Sequence, residues 1–392
     1  MVETDDLVET ASEQPAKKKR KSEKEKLWGA IPESPHERFS YKPWCAGCSA
    51  ENICTGCIYP RCRWCLACEG RGKEVFGTCR CFIHCKSLTT IDLWLQGVGG
   101  LDIAPMRIHQ PPIALPKVIP IVDPATPLVR ELPPWTYAIP VSKFIRKDGS
   151  APPYVYKLKE LFAPGSQLIL SFFCQDKFLE PVWTNYTSNW WQSEWMYQFD
   201  AVFAVNFSVY WDDPMMEILS AIKRTMIVTK EIADAGHKVI PIVIWYTEKE
   251  TREQLDVLAA NDVHTIVTCW QYVAGAQVAS YKHDFAILEK IAVQYPNLRI
   301  ICYGMSAAWV IHRAREILGN RLIIANGHIF FETVNAATAA SQRMNIFWRE
   351  MKHFHRLVNE GADPSRDWLR PLGIKPPADV EEEKPAPEES AS

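Results

Sequence analysis

The stretch between residues 239 and 325 decides the fold, because it alternates short apolar runs with longer helix-like ones. It reads VIPIVIW at 239–245, TIVTC at 265–269, RIICY at 299–303 and LIIA at 322–325. Helix-like stretches separate the later runs, at His283–Gln294 and Ala307–Leu318. Runs that are apolar on both faces are typical of buried parallel strands. The pattern therefore predicts an α/β core.

The same rhythm extends toward the N-terminus. Strand-like runs occur at Gln167–Phe173 and Ala201–Phe207, and a helix-like stretch covers Met215–Ala235. Lys117–Val122 can add a further strand. About seven strands over about 250 residues favour a parallel β/α barrel, with a doubly wound open sheet as the alternative.

Composition divides the 392 residues into five parts. They are a disordered acidic and basic arm (1–40), a cysteine-rich module (41–90), a proline-rich connector expected to run extended over a surface (91–153), the α/β core (154–370) and a disordered acidic tail (371–392). The net charge of −2 excludes a uniformly basic nucleic-acid binder, but it permits local basic patches.

Targeting signals and membrane spans are not apparent in the sequence. No run approaches the roughly 18 apolar residues that a membrane span needs. The first residues, MVETDDLVET, lack the apolar region of a secretory signal. We therefore expect no membrane partner and a cytoplasmic or other intracellular location in a host cell, where clustered thiols bind metal more often than they form disulfides.

Ten of the 13 cysteines lie in the module. Cys-x2-Cys pairs place two thiolates on one metal, and two pairs complete a tetrahedral site. The predicted ligands are Cys45, Cys48, Cys54, Cys57, Cys62, Cys65, Cys68, Cys79, Cys81 and Cys85. Zinc is the first expectation. The spacing Cys62-x2-Cys65-x2-Cys68 with a distal cysteine also suits a [4Fe–4S] cluster, so an iron–sulfur redox protein stays open as an alternative.

Basic residues near the N-terminus favour nucleic acid as a partner. The module carries seven basic and three acidic residues, a balance of +4, and Arg61 and Arg63 lie among its cysteines. The preceding arm contains the run Lys17, Lys18, Lys19, Arg20 and Lys21. Such a run can neutralise several phosphates. It also resembles a simple nuclear-import signal, and a nuclear location follows only if it acts as one.

Three segments of the core carry a family resemblance. They read LSFFCQDKFLEPVW at 170–183, NFSVYWDDP at 206–214 and AGHKVIPIVIW at 235–245. They resemble the phage and mobile-element family catalogued as domain of unknown function 4417, although Asn206 stands where the family has Asp. The cysteine-rich module lies outside the resemblance. Because that family has no established activity, the resemblance implies a phage or mobile-element context and no reaction.

Polar residues after the predicted strands form the candidate catalytic site, since ligands of β/α folds bind at the carboxyl ends of strands. Asp176, Asp212 and Asp213 can bind a divalent cation or act as an acid–base pair, and His328 can serve as a base. Asp212 or Asp213 can instead cap the following helix. Further polar candidates are Asn206, Ser208, Tyr210, Tyr246, Gln271, Tyr303, Asn326 and Glu332. An enzyme is thus the alternative to a nucleic-acid binder.

Overall fold

Eight short strands form the centre of the molecule. The computed structural model describes residues 99–143, 151–174, 178–179, 183, 190–209, 215–271, 277–336 and 340–359. The strands are β1 (Val118–Pro120), β2 (Thr136–Pro140), β3 (Gln167–Ser171), β4 (Ala201–Phe203), β5 (Val239–Ile240), β6 (Thr265–Cys269), β7 (Arg299–Tyr303) and β8 (Leu322–Asn326). Most of their residues are buried on both faces, as parallel strands require.

The strands close into a parallel barrel. They form two four-stranded sheets, β1-β8-β7-β6 and β2-β3-β4-β5, in which every pairing is parallel. Two bridges join these sheets, Ile121 with Ala138 beyond β1 and Ile242 with Val267 beyond β5. Each strand therefore neighbours the next in the chain, and β8 neighbours β1. This confirms the predicted β/α barrel over the open sheet.

Helices follow the later strands. They are α1 (Met215–Asp234), α2 (Glu248–Ala259), α3 (Gln277–Gln294), α4 (Ala308–Leu318), α5 (His328–Asn335) and α6 (Ala340–Asn359). In the described parts of the earlier connections, short 3-10 helices such as Pro127–Glu131 and Pro153–Leu161 occupy their place. Proline at the start of both suits them, because its fixed φ is helical and the first N–H needs no partner.

The barrel begins earlier than the predicted start of the core at residue 154. A surface connector is predicted over 91–153, with a further strand at Lys117–Val122. β1 lies in that run, and β2 also lies in the connector and is buried. Pro140 obscures β2 in the sequence, since proline argues against a central strand. It stands at the last position of β2, where the pairing with β3 ends.

Two other strands are shorter than their apolar runs. β4 ends at Phe203 and β5 ends at Ile240. Pro241, which follows β5, has no N–H to donate to a regular ladder, so the pairing of β4 with β5 ends here. Pairing continues irregularly beyond it, with the N–H of Val243 donating to the carbonyl of Val267 at 3.0 Å. The residues after these strands therefore remain packed in the barrel while they leave the sheet.

Helix α6 packs across the outside of the barrel beside β1 and β8. Its apolar face buries Phe347, Met351, Phe354 and Leu357, which recur at helical spacing. Arg315 of α4 donates hydrogen bonds to the carbonyls of Val358 and Asn359 near the end of α6. Among the described helices, none is long and apolar enough to cross a membrane.

Candidate active site

Three aromatic rings fill the barrel near the carboxyl ends of its strands. Phe173, just after β3, stacks on Tyr303 of β7 with ring centroids 4.0 Å apart and an interplanar angle of 12°. Phe203 of β4 meets both rings edge-on, at 6.3 Å and 6.1 Å. Offset and edge-on contacts of this kind stabilise packed aromatic groups. The barrel centre is thus closed by side chains, and polar groups line it only locally.

The hydroxyl of Tyr303 lies within a small polar neighbourhood. The side chain of Ser171 hydrogen-bonds it, and the thiols of Cys174 and Cys269 lie close by. Burial raises the pKa of the Tyr303 hydroxyl above its ordinary value. Burial also raises the pKa of Cys269 to about 11, so that this residue is a thiol at neutral pH. These groups can donate hydrogen bonds, but Cys269 is not an activated nucleophile.

A buried acid–base pair lies beside Cys269. His283 and Asp284 are neighbours in α3, and the Nδ1 atom of His283 lies 3.1 Å from Oδ1 of Asp284. The His283 ring also hydrogen-bonds the backbone carbonyl of Tyr246, which follows β5. Asp284 is 6% exposed, and its charge is felt at the Cys269 thiol at the end of β6. The pair therefore lies against the carboxyl ends of β5 and β6.

Burial determines the protonation of this pair. It raises the pKa of Asp284 well above the usual range of a carboxyl group and lowers the pKa of His283 to about 4. Both shifts arise because a low-dielectric surrounding disfavours the charged form. Both shifts favour a pair that shares one proton, with a neutral carboxyl and a neutral imidazole, over a charged ion pair. A protonated carboxyl held in this way can act as a general acid.

An aromatic cluster adjoins the acid–base pair. Its members follow β5 and β6 or stand on the early turns of α3 and α4. They are Trp245, Trp270, Tyr281, Phe285 and Trp309. Trp270 and Phe285 are buried, whereas the other three rings are partly exposed. The cluster therefore has a buried base and an accessible rim.

Contacts within the aromatic cluster are close and varied. Trp270 meets Trp245 edge-on at 5.3 Å and stacks on Tyr281 at 6.2 Å, and Tyr281 meets Trp309 edge-on at 5.0 Å. The buried indole N–H of Trp245 has no hydrogen-bond partner among the described residues. Buried donors normally have partners, so this N–H is an unusual feature of the cluster.

A second polar group stands at the end of β8. The buried Asn326 side chain donates to the carbonyl of Met305 and accepts from the N–H of His328, both at 2.5 Å. It thereby fixes the turns after β7 and β8 to each other. The His328 side chain is 46% exposed, and its Nδ1 lies 3.7 Å from Glu332. Its ring contacts Phe354 of α6 edge-on at 6.3 Å.

No protein-family model and no curated protein matches this chain. Among solved structures, it is similar to orotidine 5'-monophosphate decarboxylase from Sulfolobus solfataricus, with 12% identity, a TM-score of 0.34, and coverage of 61% of this chain and 99% of that one. For CdNal from Clostridium difficile in complex with mannosamine, the identity is 14%, the TM-score 0.27 and the coverage 52% and 63%. For the Plasmodium berghei orotidine 5'-monophosphate decarboxylase these values are 10%, 0.31, 57% and 68%. The TM-scores are low, and the fold assignment rests on the strand pairing of this chain itself.

The predicted site residues fall into two groups. Asp176, Asp212, Asp213 and Tyr210 lie outside the described residues, as do the ten module cysteines, Arg61, Arg63 and the basic run Lys17–Lys21. His328 and Asn326 stand after or at the end of β8, where the sequence predicts them. In the described part of the chain, no three His, Cys, Asp or Glu side chains gather into a group that suits a metal. The predicted carboxylate–histidine site stays a prediction.

Sequence reasoning misses Asp284 and the aromatic cluster. The signal for Asp284 is present in α3, because this acid lies on the apolar stripe that includes Leu288 and Ile291 at helical spacing. An unpaired carboxylate rarely occupies such a position. Trp245 and Trp270 are read from sequence as strand and loop residues, and only closure of the barrel brings them together with α3.

Proposed function

We propose that this protein is an enzyme whose active site lies at the carboxyl ends of β5 and β6. The observation that carries the proposal is the buried Asp284, whose Oδ1 lies 3.1 Å from Nδ1 of His283, beside the aromatic cluster. Groups whose pKa values are shifted by burial concentrate at functional sites, and the ends of barrel strands are where such sites form. We assign a reaction class, proton transfer, and a ligand class, a flat or cyclic organic ring.

The ligand class follows from the partly exposed rings of Trp245, Tyr281 and Trp309. Aromatic faces stack on nucleobases and on the apolar faces of sugar rings. A ligand on this rim would lie near the acid–base pair, because Trp245 precedes Tyr246, whose carbonyl accepts a hydrogen bond from His283, and Trp270 follows Cys269, which lies close to Asp284.

The reaction class follows from the shared proton. A protonated Asp284 donates its proton to an acceptor atom of the ligand and becomes a carboxylate, whose Oδ1 lies 3.1 Å from Nδ1 of the adjacent His283 ring. The proton returns from product or water, and the pair is restored. Positioned general acids of this kind contribute about 10²–10⁴-fold to a rate. None of these steps requires the Cys269 thiol, whose pKa is raised by burial.

The test uses nucleosides and methyl glucoside as probes with the full-length protein. Saturation-transfer NMR measures binding, and deuterium uptake from heavy water at carbon-bound positions measures proton transfer. We expect a bound probe whose exchange rate falls at least about 100-fold in Asp284→Asn, and whose binding is lost in Trp309→Leu. Asp234→Asn removes an exposed carboxyl at 54% side-chain exposure and serves as the matched control.

Two results would contradict this function. One is that no probe of the panel binds the wild type at millimolar concentration. The other is that Asp284→Asn exchanges deuterium at the wild-type rate while it binds the probe normally. In the second case the rings would bind a ligand without acid–base chemistry, and the protein would be a binding module.

We also propose that the cysteine-rich module binds zinc and contacts nucleic acid together with the basic arm, in a phage or mobile-element protein. The sequence supports this with ten cysteines within 41 residues, from Cys45 to Cys85, and a balance of +4 in the module. Small domains without a hydrophobic core commonly depend on metal for folding. The barrel site and this module are separate proposals, and neither requires the other.

Metal analysis tests the module directly. We expect the purified full-length protein to be colourless and to retain stoichiometric zinc after gel filtration, because thiolates hold zinc tightly. Changing Cys45 and Cys48 together to serine should lower the zinc content, whereas Cys174→Ser, in a partly buried core cysteine, should not. A brown protein that contains iron and sulfide would contradict zinc and favour the [4Fe–4S] alternative.

A further inference from the structure

The exposed face of α6 carries a basic stripe, which we define as Arg349, Lys352, His353 and Arg356. These residues recur at spacings of three and four, so they share one side of the helix. All four are exposed, and Arg349 reaches 68% side-chain exposure. The stripe lies opposite the buried face of Phe347, Met351 and Phe354. It therefore faces away from the barrel along the second half of the helix.

Little negative charge opposes the stripe on its own helix. Glu350 is the single acidic residue of α6, and it contacts the guanidinium of Arg349 at 2.9 Å. Its side chain is only 14% exposed, because it stands toward the packed side of the helix. On the neighbouring α4, Glu316 pairs with Arg313 of its own helix at 2.9 Å. Lys352 and Arg356 form no ion pair recorded in the described residues and are free to meet an anion.

An aromatic ring borders the stripe. Trp348 is 40% exposed, although it is a large apolar side chain, and it lies four residues before Lys352. Its ring contacts the buried Phe347 edge-on at 5.9 Å, and its exposure leaves part of the indole accessible. Exposed Trp beside Lys and Arg is the combination that stacks bases and neutralises phosphates.

We propose that the basic stripe and Trp348 form a binding surface for single-stranded nucleic acid. From Arg349 to Arg356 the helix rises about 10 Å, at about 1.5 Å per residue, so its cations can reach neighbouring phosphates of one strand. The cations meet successive phosphates, and the open face of Trp348 stacks an unpaired base. The basic arm and the cysteine-rich module are not needed for this surface, and neither is the acid–base pair of the barrel.

Fluorescence anisotropy with a labelled oligothymidylate and the full-length protein tests the surface. The stripe variant is Arg349→Gln, Lys352→Gln and Arg356→Gln. The slope of log affinity against log salt is negative, and each cation lost reduces its magnitude by about 0.7. We therefore expect the magnitude of the slope to fall by about 2 in the stripe variant. Trp348→Ala should weaken binding about tenfold and leave the slope unchanged, because stacking is not ionic.

Matched controls separate this surface from general electrostatics and from the basic arm. Lys157→Gln, Lys249→Gln and Arg252→Gln remove the same charge from exposed positions elsewhere, and they should change the slope little. The stripe variant is also made in a chain whose residues 17–21 are neutralised with glutamine. We expect the magnitude of the slope to fall by about 2 in this chain as well, whether or not the basic arm itself binds nucleic acid. Circular dichroism confirms that each variant is folded.

Two outcomes would overturn the proposal. In the first, the stripe variant and its control triple change the slope equally in both backgrounds. In the second, the wild type binds the oligonucleotide only after residues 371–392 are removed. That result would mean that the stripe binds the acidic tail of the same chain, which carries EEE at 381–383.

Discussion

Replacing Asp284 with asparagine is expected to make the protein more stable than the wild type, by an amount that grows as the pH rises above the ordinary pKa of a carboxyl group. Burial raises the pKa of Asp284 in the folded protein, so the folded state keeps a proton that the unfolded chain releases. Folding stability then falls as pH rises, until the pH passes the folded pKa. Asparagine cannot ionise, and its amide can still donate to His283.

His283 does not change this comparison, because both proteins keep it. Its pKa falls to about 4 on folding from an ordinary value of 6.5, so its own contribution raises the stability of both proteins as pH increases between these values. In the wild type the contribution of Asp284 opposes it over the same window. Relative to the variant, wild-type stability therefore falls by up to about 1.4 kcal/mol per pH unit above 3.8, until the pH passes the folded pKa of Asp284.

Urea unfolding of both proteins from pH 5 to pH 9 measures this difference. Asp234→Asn is the control, because its carboxyl is exposed and should give no such divergence. If Asp284 were instead a carboxylate paired with a charged His283, the asparagine variant would lose about 3–5 kcal/mol at neutral pH. That loss would contradict a shared proton in a neutral pair.

Replacing Phe173 with alanine is expected to destabilise the barrel by about 3–5 kcal/mol, since a buried aromatic side chain is removed and a cavity remains. Phe173 is 4% exposed and stacks on Tyr303 at 4.0 Å. Its loss also removes the packing that holds Tyr303 and Phe203 in place. Denaturant unfolding of the full-length protein measures the change.

Phe331→Ala is the matched control for this prediction. Phe331 stands on α5 and is 62% exposed, so its removal should change the free energy of unfolding by no more than about 0.5 kcal/mol. A Phe173→Ala loss below about 1 kcal/mol would mean that the ring does not fill the barrel centre. The interior would then be open to ligand, and the active site would need to be placed there.

Continuous apolar runs predict most strands of the barrel, whereas neighbouring prolines prevent the prediction of β2. β3, β6, β7 and β8 follow directly from continuous β-branched and apolar residues. β2 is missed because Pro133, Pro134 and Pro140 surround its core of TYAI. Local rules demote proline within a strand, but position at a strand end decides whether a missing N–H matters.

The candidate site is harder to predict than the fold, because barrel closure assembles it. His328 can be found from sequence, since it follows a strand directly. Asp284 lies 15 residues beyond Cys269 in the chain, and only the packing of α3 on β6 brings the two together. Its burial, and hence its raised pKa, depends on rings from three connections. Spacing along the chain carries no such information.

The most direct test of the account is the protonation state of the Asp284 carboxyl. Carbon NMR of protein labelled at the aspartate Cγ follows each carboxyl through a pH titration, and the Asp284→Asn variant assigns the signal. We predict that Asp284 ionises only at a pH well above 3.8, since burial raises its pKa well above that value. Ionisation near the ordinary value of 3.8 would contradict the shared proton, and with it the proposed general acid.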